Sequence, residues 1–106
     1  MIPPVGVIGA GAWGTALAQA LASDGSAVRL WAREPELVEE INTRRRNSLF
    51  LPSAELALSI TATNHIGDLA RLPILLAVTP AQHLASVLSG LPDLPRDLVL
   101  CAKGIE

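Results

Sequence analysis

Three glycines, Gly9, Gly11 and Gly14, stand directly after the apolar run Val5-Gly6-Val7-Ile8 and restrict this chain more than any other feature. Glycine at the first position permits the tight turn from a strand into a helix. At the second, the missing Cβ lets the main chain come close to a pyrophosphate, and at the third it lets the helix pack against its strand. The helix that follows turns unpaired N–H groups and the positive end of its dipole toward the turn. A G-x-G-x-x-G alone is weak, because turns use glycine everywhere. Here an apolar strand precedes it, and Thr15-Ala-Leu-Ala-Gln-Ala-Leu-Ala22 follows. That context points to dinucleotide binding. The bland alternative is a turn that only serves the fold, for which three loosening glycines bring no gain.

The rest of the chain alternates strand and helix. Val5–Ile8 reads as a parallel strand covered on both faces, and the helix from Ala12 to Ser23 stops at Asp24-Gly25. A second strand covers 27–31. Pro35 suits a first helical turn, and 36–42 carries apolar residues at helical spacing. Residues 47–54 lack a period and include Pro52, so they read as a loop. Alternation at 58–62 predicts a third strand, and Asn64 a cap for a short helix through Asp68 to Arg71. The apolar run 74–78 predicts a central strand, 81–89 a helix, and 98–102 a fifth strand. Such alternation implies right-handed crossovers and a mostly parallel sheet. The expected fold is α/β, a Rossmann-type doubly wound sheet of order 3-2-1-4-5 with helices on both faces. Ligands bind at the carboxyl ends of its strands.

A chain of 106 residues allows one domain. Half of it is hydrophobic and 17% charged, which excludes a disordered chain. The net charge of −2 makes no electrostatic case for nucleic acid or an anionic membrane. Arg44-Arg45-Arg46 reads as a solvated helix end rather than an anion-binding patch. The lone Cys101 excludes an internal disulfide framework and reads as a small strand hydrophobe, not a nucleophile. No apolar run is long enough to span a membrane, and Met1-Ile2-Pro3-Pro4 carries no leader signature. The expected location is cytoplasmic. Residues 103–106 follow a strand at once, so the chain reads as a truncated piece of a longer protein, with a sheet edge left open to association. A homo-oligomer is compatible with this pattern and is not specified by it.

Coenzyme choice is read at the end of the second strand. NAD-selective sites place an acidic residue about 20 residues past the first glycine, where it binds the ribose 2′-hydroxyl. Here Trp31-Ala32 occupy that place and Arg33 follows. A guanidinium suits a 2′-phosphate by charge and by its forked donors. Pro35 assigns Glu34 to the start of the next helix. NADP(H) is therefore expected to bind at least as well as NAD(H), with an exposed surface arginine as the plainer reading. Lys103, on the same rim as the glycine turn, could meet a substrate phosphate or hydroxyl. His83 lies in a helical first turn there, and His65 reads as a surface residue. No metal-ligand spacing and no Ser-His-Asp arrangement is legible.

Several pieces together carry a resemblance: Gly-Ala-Gly-Ala-Trp-Gly-Thr-Ala-Leu-Ala at 9–18, Leu30-Trp31-Ala32-Arg33, Asn47 with Phe50-Leu51-Pro52, Val78-Thr79-Pro80-Ala81-Gln82, and Lys103-Gly104-Ile105-Glu106. In this order they resemble the N-terminal domain of NAD(P)-dependent glycerol-3-phosphate dehydrogenases of the bacterial type. The resemblance implies reversible hydride transfer between dihydroxyacetone phosphate and sn-glycerol 3-phosphate, feeding phospholipid synthesis. It implies that Ala12 and Trp13 contact the cofactor, that Arg33 lies at the adenosine ribose, and that Lys103 binds cofactor and substrate. Ala12 departs from the serine or asparagine of many members, which removes a side-chain hydrogen bond and leaves backbone contacts intact. The family holds its proton-transferring lysine in a helical C-terminal domain, so residues 1–106 are expected to bind nucleotide without catalytic residues of their own. The rivals are another Rossmann dehydrogenase, acting on a hydroxy acid or sugar nucleotide, and a non-catalytic nucleotide sensor. The former has no reason to carry Lys103-Gly104-Ile105-Glu106; the latter usually keeps an acidic residue where Arg33 stands.

Overall fold

The computed structural model describes residues 4–53, 55–69, 72–78, 89 and 97–100. Five parallel strands form one sheet: β1 (Val5–Ile8), β2 (Val28–Trp31), β3 (Ile60–Thr63), β4 (Ile74–Ala77) and β5 (Asp97–Leu100). Their order is β3-β2-β1-β4-β5, so β1 is central, as its unbroken apolarity requires. Ile8 pairs with Trp31 on one side and with Ala77 on the other. Among the described residues the helices are α1 (Ala12–Ala22) and α2 (Pro35–Arg44), with a 3₁₀ turn at Ile66–Leu69.

Alternation along the strands divides the core between the two faces of the sheet. One cluster joins Val7, Val28, Leu30, Ile60 and Ala62 to Ala18 and Ala22 of α1 and to Leu37 and Ile41 of α2. On the other face Ile8, Leu75 and Leu69 pack together, with Trp31, Ile66 and Leu72 against them. Gly6 belongs to this second side: a methyl there would run into Leu75 and Leu69. The small residues of α1 bring its backbone close to the sheet, which draws the glycine turn in over the strand ends.

Helix α1 stops where the sequence indicates, whereas α2 runs past its expected end. Ser23 is the C-cap of α1, and Gly25 follows at φ 91°, a left-handed conformation that glycine adopts without a Cβ penalty. Helix α2 begins with Pro35 in its first turn and runs to Arg44, beyond the expected 42. Arg45 then takes the left-handed C-cap at φ 58°, the one non-glycine positive φ among the described residues. The arginine run is a helix end, but Arg45 is not merely solvated. Half-buried, its guanidinium donates to the carbonyls of Ile60 (2.6 Å) and Ala57, tying the approach to β3 onto α2.

That tie accounts for the largest departure from the expected elements. The third strand starts at Ile60 rather than 58, because Ile60 N–H bonds back to Ala57 O (3.1 Å) and holds 58–59 in a turn. Leu58, counted as a strand residue by alternation, is 86% exposed. The outer edge of β3 is closed by side chains. Asn42 of α2 donates to Ala62 O (3.0 Å) and accepts from Ala62 N–H (2.8 Å), as a further strand would. Capping an edge in this way removes a template for unwanted pairing. After β3, Thr63 rather than Asn64 organises the next turn. Its hydroxyl accepts from His65 N–H (3.1 Å) and donates to Asp68 Oδ2 (2.5 Å), and the short helix is 3₁₀. The expected helix at 81–89 and the end of the fifth strand, including Cys101, lie outside the described residues.

Candidate functional site

The three glycines play separable parts in the turn. Gly9 sits at φ 117°, and its N–H donates to Trp31 O at 3.0 Å. Ile8 O accepts from Val78 N–H at 2.8 Å, so the turn leaves the sheet between the ends of β2 and β4. This is the carboxyl edge of the central strand, where open α/β sheets take their ligands. Gly14 is buried, and a methyl there would lie on the carbonyl oxygen of Gly9, a backbone atom that cannot step aside. Gly11 is the opposite case. Its backbone is extended (φ −72°, ψ −171°), and a Cβ built on it meets nothing within 4 Å. Neither its backbone conformation nor any described neighbour requires glycine there.

Gly11 is also the N-cap of α1, and it offers no side chain to cap the helix. The first helical bond runs from Thr15 N–H to Gly11 O at 2.9 Å. The N–H groups of the first turn therefore lack intrahelical acceptors, and no acidic residue stands in that turn to offset the dipole. Ala12 and Trp13 are exposed at its opening, Trp13 by 54%. The arrangement suits an anion approaching the main chain.

Behind the turn lies a polar cluster. Thr15, fully buried, donates through Oγ1 to Ala10 O at 3.2 Å. Asn47, also fully buried, donates through Nδ2 to Ala10 O (2.9 Å) and to Thr15 Oγ1 (2.7 Å). Its Oδ1 accepts from Phe50 N–H (3.1 Å), and its carbonyl from Leu51 N–H (2.8 Å). Residues 47–51 are thus a loop, as expected, yet an ordered one docked on the glycine turn. In sequence Asn47 is a loop residue and one member of the family-like segment with Phe50-Leu51-Pro52, without a role of its own. Its one signal was an Asn before an apolar Leu-Phe-Leu and a proline, and loops commonly show the same composition.

At the end of β2, Ala32 is buried and bonded to Thr63 O (2.9 Å), and Arg33 is exposed directly after it. Glu34 is the N-cap of α2, and its carbonyl accepts from the N–H groups of Leu37 and Val38, each at 3.1 Å. Its backbone belongs to the next helix, as Pro35 implied. The Trp31 indole N–H is buried and finds no hydrogen-bond partner among the described residues. Lys103 and His83 lie outside the described residues, whereas His65 is exposed ahead of the 3₁₀ turn.

Among the described residues two carboxylates are perturbed, and neither belongs to the turn. Ser26 holds Asp24 below its ordinary pKa through its side chain and then its backbone N–H. The side chain and backbone N–H of Ser48 lower Glu40, with a smaller contribution from Arg44. A hollow of about 700 Å³ opens on the outer side of α2, lined by Glu36, Glu39 and Glu40 among others. Its three carboxylates outnumber its one guanidinium, that of Arg44, so its charge disfavours phosphate. Among the described residues no group of His, Cys, Asp and Glu could hold a metal ion, and no helix is long and apolar enough to cross a membrane.

Comparison with known proteins gives this geometry its relatives. The sequence model for the N-terminus of NAD-dependent glycerol-3-phosphate dehydrogenase matches residues 4–106. The chain belongs to this family. A glycerol-3-phosphate dehydrogenase [NAD(P)+] from Novosphingobium aromaticivorans is 67% identical over 102 residues, which are 96% of this chain and 31% of that protein. Among solved structures, glycerol-3-phosphate dehydrogenase from Saccharomyces cerevisiae superimposes with a TM-score of 0.83 at 29% identity, over 98% of this chain and 34% of that one. The enzyme from Coxiella burnetii gives 0.79 at 29% identity, over 92% and 31%. The chain thus spans about a third of the length of the glycerol-3-phosphate dehydrogenases it matches.

Proposed function

We propose that this chain is the nucleotide-binding domain of an NAD(P)-dependent glycerol-3-phosphate dehydrogenase, which interconverts dihydroxyacetone phosphate and sn-glycerol 3-phosphate. The observation that carries the reading is Gly11, with open space where its Cβ would stand, in front of an uncapped helix N-terminus. In this reading the backbone of Gly9, Gly11, Ala12, Trp13 and Gly14 receives the pyrophosphate of NAD(H) or NADP(H). The bound nicotinamide supplies the hydride. The chain's own part is to hold the dinucleotide across the carboxyl ends of β1, β2 and β4.

Arg33 stands at the adenosine ribose, where a guanidinium favours a 2′-phosphate. Directly after it the Glu34 backbone caps α2. Lys103 is assigned to cofactor and substrate on the family resemblance alone. The catalytic lysine and most contacts to the substrate phosphate would come from a helical C-terminal domain, in keeping with the length of the relatives. A nucleotide sensor or a dehydrogenase for another substrate is not favoured, given the family match over residues 4–106.

The test is a pair of assays. The 106-residue chain should bind NADPH or NADH yet oxidise neither in the presence of dihydroxyacetone phosphate. A longer protein containing it should turn over. Steady oxidation by the short chain, or inactivity of the longer protein with this substrate, would refute the proposal.

A further inference from the structure

We propose that Asn47 is a positioning residue for the glycine turn: through the Ala10 carbonyl it aims the Gly11 N–H at the pyrophosphate. This rests on the dinucleotide-binding reading above. The Ala10 carbonyl and the Gly11 N–H belong to one planar trans peptide, in which the two groups point in opposite directions. Thr15 Oγ1 (3.2 Å) and Asn47 Nδ2 (2.9 Å) draw the carbonyl into the buried cluster behind the turn. The N–H is thereby directed away from that cluster.

The lock is needed because glycine does not hold itself. Without a Cβ, Gly11 lets its preceding peptide rotate more freely than any other residue would. A rotated peptide would present the carbonyl oxygen to the phosphates in place of the N–H, exchanging attraction for repulsion. Asn47 opposes that rotation from 37 positions away in sequence. All of its side-chain groups are engaged. One amide hydrogen goes to Ala10 O, the other to Thr15 Oγ1, and Oδ1 accepts from Phe50 N–H. Asn47 is held in turn by its own loop, through the bond from Leu51 N–H to its carbonyl and that from Ser48 N–H to Glu40. The end of α2 thus fixes the turn that precedes α1.

The experiment compares ADP with adenosine, since only ADP carries the pyrophosphate. Both are titrated into the full chain and into Asn47→Ala, with thermal melts as the control for folding. The expected result is ADP binding weakened by about tenfold, with adenosine changed by less than about twofold. A folded variant that binds ADP as the wild type does, or that loses both ligands equally, overturns the proposal while leaving the dinucleotide reading intact. Should Asn47→Ala not fold, Thr15→Val removes one donor to the same carbonyl at nearly constant volume. It must show the same selective loss, and an unchanged ratio of adenosine to ADP affinity overturns the proposal. A wild-type chain that binds ADP no better than adenosine removes the dinucleotide reading and this proposal with it.

Discussion

Replacing Gly14 by alanine separates the structural glycine of the turn from the ligand-facing one. The added methyl would fall on the Gly9 carbonyl oxygen, and both partners are backbone, so no rotamer change relieves the overlap. Helix α1 has to move off the strand that its buried Ala18 and Ala22 touch, and Leu17 and Leu21 move with it. Forcing extra atoms into a packed interior costs about 1–3 kcal/mol. Alanine's better helix propensity returns at most about 1 kcal/mol. Because the overlap is backbone on backbone the packing cost belongs at its upper end, and the net loss of about 2 kcal/mol lowers the melting temperature by roughly 8–16 °C in a domain of this size. Circular dichroism melts measure it directly, with Gly67→Ala as a control, because a Cβ at Gly67 meets nothing within 4 Å. The control should melt within a few degrees of wild type or slightly higher. A Gly14→Ala protein that melts with or above wild type would refute the close-packing argument.

The remaining predictions concern the sheet edge, the coenzyme and pH. Asn42→Ala leaves the outward N–H and C=O of buried Ala62 unpaired, so it should cost about 1–3 kcal/mol and raise light scattering through edge pairing. An unchanged melt and a monodisperse sample would contradict the capping role. Arg33→Ala should reduce the preference for NADPH over NADH by about tenfold and leave NADH affinity alone; equal losses for both coenzymes would remove Arg33 from the 2′-phosphate. Asp24 has a folded pKa below its ordinary 3.8, so its contribution to stability is complete above that value and disappears as pH falls through the lowered one. Asp24→Asn should therefore differ most from wild type near neutral pH and converge with it only on acidification beyond the ordinary 3.8. A gap that widens on acidification would show that the sign is wrong.

The glycine turn was legible because each glycine answers to a local demand. Strand, turn and helix adjoin in sequence, and the φ of Gly9 and the burial of Gly14 follow from that adjacency. The strand order followed from alternation and connection rules for the same reason. Long-range side-chain bonds were not legible. Arg45 looked like one of three solvated arginines, and its role depends on carbonyls at 57 and 60 that only the fold brings near. The misplaced start of β3 has the same origin, since Leu58-Ser-Ile-Thr-Ala alternates perfectly well until those bonds hold its first residues in a turn. Asn47 shows the limit most clearly. A buried amide that bridges a loop to a turn 37 positions earlier leaves no periodic trace in sequence.

The most direct test of the account is a calorimetric titration of NADPH into wild type and Gly11→Ala, with both melting temperatures recorded. Alanine is allowed at φ −72°, ψ −171°, and its methyl would stand in empty space, so the fold should survive to within about 1 kcal/mol. That same space is where the pyrophosphate must come. The account predicts saturable binding by wild type, and none by a Gly11→Ala protein of near-normal stability. Equal binding by the two proteins, or no saturable binding by wild type, would contradict it.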